Sequence, residues 1–395
     1  MKRSYNFNKY SGIQPAVREA LNGVFEDGGL PTIKGNWYFV DPANGSASGG
    51  GGADNPVSSI EYAYDLCITG AGDGIVLLSG GTTSAHTTSY LTQPLTWSKN
   101  AITVIGAAAP TRMGGRARVA NKTVTSTVAM VAVADTSITR ATGSFITDGW
   151  EVGMSFISNV DSAAIVVDAV TALTLTVTGT LTVGAHTSIT SVDANLITVS
   201  GDNNSFVNIH FGNFGSNVLE LGCIEITGDR NYFGNCHILG AGDATPAAET
   251  GAYDLKLNGA AECTFEACTI GSDTIIRAAA NGNIIYDGLC LRNRFYDCDI
   301  VSYSETAGHG HINSIDATSM QGVDIFAGCR FINWKPNGAG ALTACQIGTA
   351  PTSGHFLFDS CSFFGFTAVG ASGAVYVANS DATAAGAGGI STTPA

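Results

Sequence analysis

Apolar and polar residues alternate in short runs along most of this chain, the signature of strands half-buried on one side. Between Asn203 and Phe366 the alternation settles into one phrase: Phe, two residues, Cys, one residue, Ile or Phe. It reads Phe233 to Ile238, Phe265 to Ile270, Phe295 to Ile300, Phe326 to Phe331 and Phe358 to Phe363, with Cys236, Cys268, Cys298, Cys329 and Cys361 in the fourth slot. An earlier copy, Phe206 to Phe211, carries Ile209 in that slot. Successive Phe slots lie 27 to 32 residues apart, a period that means stacked supersecondary units. Within a strand, residues three apart face opposite ways. One backbone corner between Phe and Cys turns both inward. The residue before the Cys/Ile slot is Asn208, Asn235, Ala267, Asp297, Gly328 or Ser360, mostly types that tolerate a left-handed backbone. Strand, corner, strand, repeated and stacked, predicts an all-β parallel β-helix with Phe and Cys/Ile ladders inside. Helical repeats would need apolar residues at i, i+3, i+4 and i+7 over ten or more residues, and the segments between phrases lack them.

The Phe-x-x-Cys-x-Ile phrase resembles the coils of right-handed, pectate-lyase-like β-helices. That group includes plant-polymer lyases, phage tailspikes and other phage virion proteins. Two further stretches carry resemblance. Trp37-Tyr-Phe-Val-Asp-Pro42, then a helical stretch, then Gly72-Asp-Gly-Ile-Val76 and Ile102-Thr-Val-Ile-Gly106 is similar to β-helix proteins encoded among phage head genes. Gly143-Ser-Phe145-x-x-Asp148-Gly-Trp150-x-x-Gly153-Met154 resembles small β modules of phage structural proteins. One scaffold of this kind hosts many activities, so function must come from a site.

Five segments follow. Residues 1–36 are an N-terminal anchor or tail, with a short amphipathic stretch from Gln14 to Phe25. Residues 37–133 hold a cap helix, placed at 55–69 with Asn55 as N-cap and Pro56 at the first helical position, and the first coils. Such a cap covers the open first coil, whose edge would otherwise pair with other chains. Residues 134–190 alternate strongly but lack the phrase, which predicts a small inserted antiparallel β module; three irregular coils are the alternative. Residues 191–378 form the main β-helix. Residues 379–395, rich in Ala, Gly, Ser and Thr, could bury no core and read as a tail.

Charge narrows the partners. The net charge is −14, which argues against general nucleic-acid binding and against attraction to an anionic membrane. No apolar run is long enough for a membrane span, and Met1-Lys-Arg-Ser-Tyr-Asn lacks the apolar stretch of a secretory signal. Half of the ten Cys occupy the repeating inward slot, so they read as buried free thiols of a chain folded in the host cytoplasm.

The search for chemistry centres on the outward slot after Cys/Ile: His210, His237, Thr269, Asp299, Arg330 and Ser362. This row holds one carboxylate, and hydrolysis of a glycosidic bond needs two at a set gap. No catalytic, cofactor-binding or metal-ligating residue is assigned, and no cofactor is implied. A surface site is conceivable at Asp297 and Asp299 together with His309 and His311 in the loop 302–319. The missing carboxylate cluster points to a non-enzymatic protein. With the resemblance, the expectation is a structural phage virion protein on the particle surface, decorating the capsid as a homotrimer against the major capsid protein, with a glycan as a possible ligand. The alternatives are a tailspike-like depolymerase or lyase, and a passive receptor- or glycan-binding spike.

Overall fold

The computed structural model describes residues 33–79, 88–108, 116–304, 306, 308–314, 318–334, 343–347, 354–366, 368–370 and 375–380. The segment 1–32 of the expected anchor and 381–395 of the expected tail lie outside them. The chain is a right-handed parallel β-helix of about 8 turns. Each coil passes through three sheets in a fixed order. The first sheet receives strands such as Gly74–Ser79, Ser205–Val207 and Arg294–Tyr296. The second receives Ala117–Asn121, Ile209–Gly212, Asp299–Ser304 and Arg330–Asn333. The third receives Leu95–Trp97, Ile197–Val199, Leu255–Asn258 and Gly310–Ser314.

The corner between the first and second sheets lies where the phrase predicts it. Asn208, Asn235, Ala267, Asp297, Gly328 and Ser360 have φ of 60°, 48°, 51°, 50°, 66° and 55°. Each left-handed residue turns the chain so that Phe and Cys/Ile both enter the core. Phe206, Phe233, Phe265, Phe295, Phe326 and Phe358 are in register and stacked, with ring centroids 4.9, 5.1, 4.5, 4.4 and 5.2 Å apart. Beside them stands a column of Ile209, Cys236, Cys268, Cys298, Cys329 and Cys361, all buried. Each thiol approaches the Phe carbonyl of the coil before it, as Cys236 Sγ does Phe206 O at 3.4 Å and Cys268 Sγ does Phe233 O at 3.3 Å. An S–H donor is weak, but here it repeats on every coil. All ten thiols are free and buried.

A second corner lies three residues before the first four Phe slots. Asn203, Arg230, Glu262 and Arg292 have φ of 59°, 56°, 59° and 55°. Their exposed side chains pair along the stack, with Glu262 between Arg230 at 3.6 Å and Arg292 at 2.5 Å. The next residue points inward and caps the neighbouring coil. Asn231 Oδ1 accepts from Asn204 N at 2.9 Å, Asn293 Oδ1 from Cys263 N at 3.0 Å, and Asp324 Oδ1 from Asn293 N at 3.0 Å.

The cap helix runs Ile60–Leu66 with Ser59 as N-cap, shorter than 55–69. Asn55 and Pro56 stay outside it because Val57 is held extended against the first strand: Val57 N donates to Phe39 O, and Asp41 N to Val57 O. The helix buries Ile60, Ala63 and Tyr64. Tyr64 packs on Trp97 at 4.4 Å, and Trp97 meets Phe206, the first ring of the stack, at 5.1 Å.

The inserted module is an antiparallel sheet of eight strands from Thr125–Ser126 to Ile189–Ser191. It begins earlier than 134, because Met130–Ala134 pairs with Ser137–Arg140 inside it. It has its own core around Phe145, Trp150, Met154 and Phe156. Ser144 caps the helix Phe145–Asp148, Gly149 ends it at φ 99°, and Trp150 Nε1 donates to Ser126 Oγ at 2.9 Å.

Two substitutions test this account by chemical unfolding. Phe295→Ala opens a cavity in the middle of the stack and should cost about 3–5 kcal/mol. Ala267→Gly relieves a left-handed Cβ on an exposed corner and should raise stability by up to about 1 kcal/mol; a loss would sink the corner argument.

Candidate functional site

The helix core is closed, so chemistry must lie on an outer face, in a corner or on the module. The second sheet has the most varied outer face. Its register aligns one outward row, Thr88, Arg118, His210, His237, Thr269, Asp299, Arg330 and Ser362. Neighbours in such a row stand about 4.8 Å apart.

At the C-terminal end Asp299 and Arg330 form a bidentate pair, Nε to Oδ1 at 2.5 Å and Nη2 to Oδ2 at 2.6 Å. Two residues along each strand lie Val301, Ile332 and Phe364, in register. Tyr303 pairs with Ile276 on the next strand, and Trp334 follows at the strand end. Trp334 and Phe364 are 49% and 38% exposed, and their rings are 5.6 Å apart. A flat parallel sheet thus presents a platform of Tyr303, Trp334 and Phe364 beside a carboxylate–guanidinium pair. Contiguous exposed apolar surface of this kind marks an interaction site.

At the N-terminal end the row is cationic and aromatic. Phe214, on the loop after Ile209–Gly212, lies under the Arg118 guanidinium, 4.3 Å from Cζ to the ring centre, and meets His210 edge-on at 6.0 Å. His210 and His237 stack at 4.4 Å. Burial pushes His210 down to about 2, helped by His237, Arg118 and Arg116.

The same loop carries Glu220 to the next corner. Glu220 accepts from Asn217 N at 2.8 Å and lies close to Asp193, which is 3% exposed and has one oxygen without a hydrogen-bond partner. Burial raises Asp193 to about 8, with Glu220 and then Glu61 adding repulsion. Glu61, half-buried in the first turn of the cap helix, is raised to about 7 by burial and by Glu151 of the module and Asp65. Cap helix, module and coils therefore place Asp193 within electrostatic reach of both Glu220 and Glu61. Among the described residues no group of three or more His, Cys, Asp or Glu is placed to hold a metal ion.

The residues expected to form a surface site are not brought together. Asp297 occupies its corner, exposed, and Asp299 is held by Arg330. His309 and His311 are fully buried, which corrects their placement on a surface loop. The chain there turns inward because the corner between the second and third sheets offers polar partners: His309 Nδ1 lies 2.9 Å from Asn281 Oδ1, and His311 Nε2 lies 3.1 Å from Ile332 O. Nearby, Arg277 and Asp254 form a buried pair at 2.5 Å. The carboxyls at 61, 193 and 220 were missed because they lie on three segments that carry none of the repeated phrase.

No protein-family model matches the chain, and no curated protein matches its sequence. The chain is a β-solenoid of pectate-lyase type, and solved structures of this type are similar to it. A rhamnogalacturonan lyase is 13% identical, with 83% of this chain and 68% of that one covered and a TM-score of 0.44. A pectin methylesterase from Aspergillus niger is 13% identical, with 89% and 86% covered and a TM-score of 0.39. The tailspike protein of Pseudomonas phage LKA1 is 11% identical, with 77% and 71% covered and a TM-score of 0.21. At such identities the likeness is one of fold. The expectation of a non-enzymatic protein is corrected: structural neighbours of the chain are a lyase and methylesterases.

The raised carboxyls give a pH prediction. An acid whose folded pKa exceeds its unfolded value binds more protons folded, so stability falls as pH rises between the two values. For Asp193 that window runs from about 3.9 to about 8. Melting temperature should fall across it, and Asp193→Asn should flatten the slope; an unchanged slope in that variant would refute the raised value.

Proposed function

We propose that this chain is a glycan-binding β-helix protein of a phage particle, and that the outer face of the second sheet is its contact surface. One observation carries the glycan reading. Trp334 and Phe364 stand exposed side by side on a rigid sheet, next to the Asp299–Arg330 pair. Sugar rings pair an apolar C–H face with a rim of hydroxyls. An aromatic platform takes the first, and fixed charged groups take the second without reorganising. Tyr303, Val301 and Ile332 extend the surface along the stack. The phage assignment rests on the resemblance carried by residues 37–112 and 143–154 and by the repeated phrase. A place on the head surface, contact with the major capsid protein and a homotrimer belong to the same proposal.

The test is an array of host-surface glycans followed by calorimetry. Trp334→Ala should weaken binding about tenfold, the equivalent of about 1.4 kcal/mol. Equal binding by that variant would overturn the platform.

A further inference from the structure

The N-terminal end of the outward row holds buried polar groups without partners. Thr88, Arg118, His210 and His237 occupy four successive rungs in direct register. Thr88 Oγ1, Arg118 Nε and both ring nitrogens of His210 are buried without a hydrogen-bond partner. Thr88 and His210 are 1% and 2% exposed. Unsatisfied buried polar atoms are rare in folded proteins, and each costs about 1–3 kcal/mol. Three neighbouring rungs carrying them mark a place that takes a polar ligand.

The charge of that ligand follows from the surroundings. Arg118 touches the Phe214 ring, and no described carboxylate pairs with it, in a chain of net charge −14. Arg116, two residues from the row, is fixed by its own bonds to Asn235, Nε to O at 2.7 Å and Nη2 to Oδ1 at 2.9 Å. It adds positive potential without closing the site. His237 is held by Gly271 O at 3.0 Å, which sets its ring parallel to His210. Phe214 covers Arg118 from one side, fixing the guanidinium and removing water from it. A fixed guanidinium, the single N–H of a neutral imidazole and a hydroxyl on adjacent rungs can meet several oxygens of one small anion.

We propose that Thr88, Arg118 and His210, backed by Phe214 and His237, form a binding site for an oxyanion: a phosphate, sulfate or carboxylate group. The group could be free in solution or a substituent on a larger ligand, since the donors see only its oxygens. This inference goes beyond the glycan reading and does not depend on it, because the aromatic platform lies at the opposite end of the row.

The test uses the whole chain and inorganic phosphate. Melting temperature is followed against phosphate at constant ionic strength, with chloride as the balancing salt. A saturable rise is expected, and calorimetry should give a single site. Arg118→Gln should weaken phosphate about tenfold, as loss of a charge-assisted contact does. Should that variant fail to fold, His210→Gln and Phe214→Leu serve in its place and should also weaken binding, whereas Arg330→Gln should not. A carboxylated or sulfated oligosaccharide displaced by phosphate identifies a substituent as the ligand; phosphate binding that such an oligosaccharide does not compete with identifies the free ion. No saturable effect beyond chloride, or full binding by Arg118→Gln, overturns the proposal. Neutral-glycan binding should be untouched by Arg118→Gln, and phosphate binding by Trp334→Ala, so the two proposals fail separately.

Discussion

One backbone choice governs this structure: a left-handed residue between Phe and Cys/Ile in every coil of the repeat. Without it, the slots would face opposite ways and neither column could form. With it, six Phe rings stack near van der Waals distance and a column of small side chains runs beside them. Cys suits the second column because it is compact and apolar, and its thiol can still reach a carbonyl one coil down. The other left-handed corner, three residues earlier, lets Asn204, Asn231 and Asn293 turn inward and satisfy backbone donors of adjacent coils. Shape and hydrogen bonding are thus settled together at the corners.

A scaffold built this way is rigid, and its outer rows inherit that rigidity. Side chains on one row are spaced by the sheet, so their chemistry can vary from coil to coil without disturbing the core. The second sheet uses this freedom unevenly. Its C-terminal coils carry aromatic rings and a bidentate ion pair; its N-terminal coils carry Arg118 and two stacked histidines. The buried polar groups between the second and third sheets play a different part. Asp254 and Arg277 neutralise each other, and His309 and His311 stay uncharged because burial pushes both below their ordinary range.

The junction of cap helix, module and first coils concentrates what the repeats lack. Glu61, Asp193 and Glu220 come from the helix, from the link after the module and from a loop between sheets. Each is ordinary in its own segment. Their raised pKa values exist only because packing excludes water from all three and sets like charges near one another.

The fold was legible in the sequence because a repeat states its own geometry. The Phe, Cys and corner slots are local patterns, and stacking identical units leaves little choice of arrangement. The outward row was legible for the same reason. The Asn-x-Phe spacing at 204, 231 and 293 is equally local and is written in the sequence. The start of the module was misjudged, because Met130–Ala134 alternates like any strand and only its antiparallel partner assigns it. What tertiary structure alone decided is non-repeating. The loop of His309 and His311 went inside because a corner supplied acceptors, Phe214 folded over Arg118, and carboxyls distant in sequence met at one junction. Local pattern fixes which way a side chain points along a strand. Which charges share a volume, and how dry that volume is, depends on contacts between segments far apart in the chain.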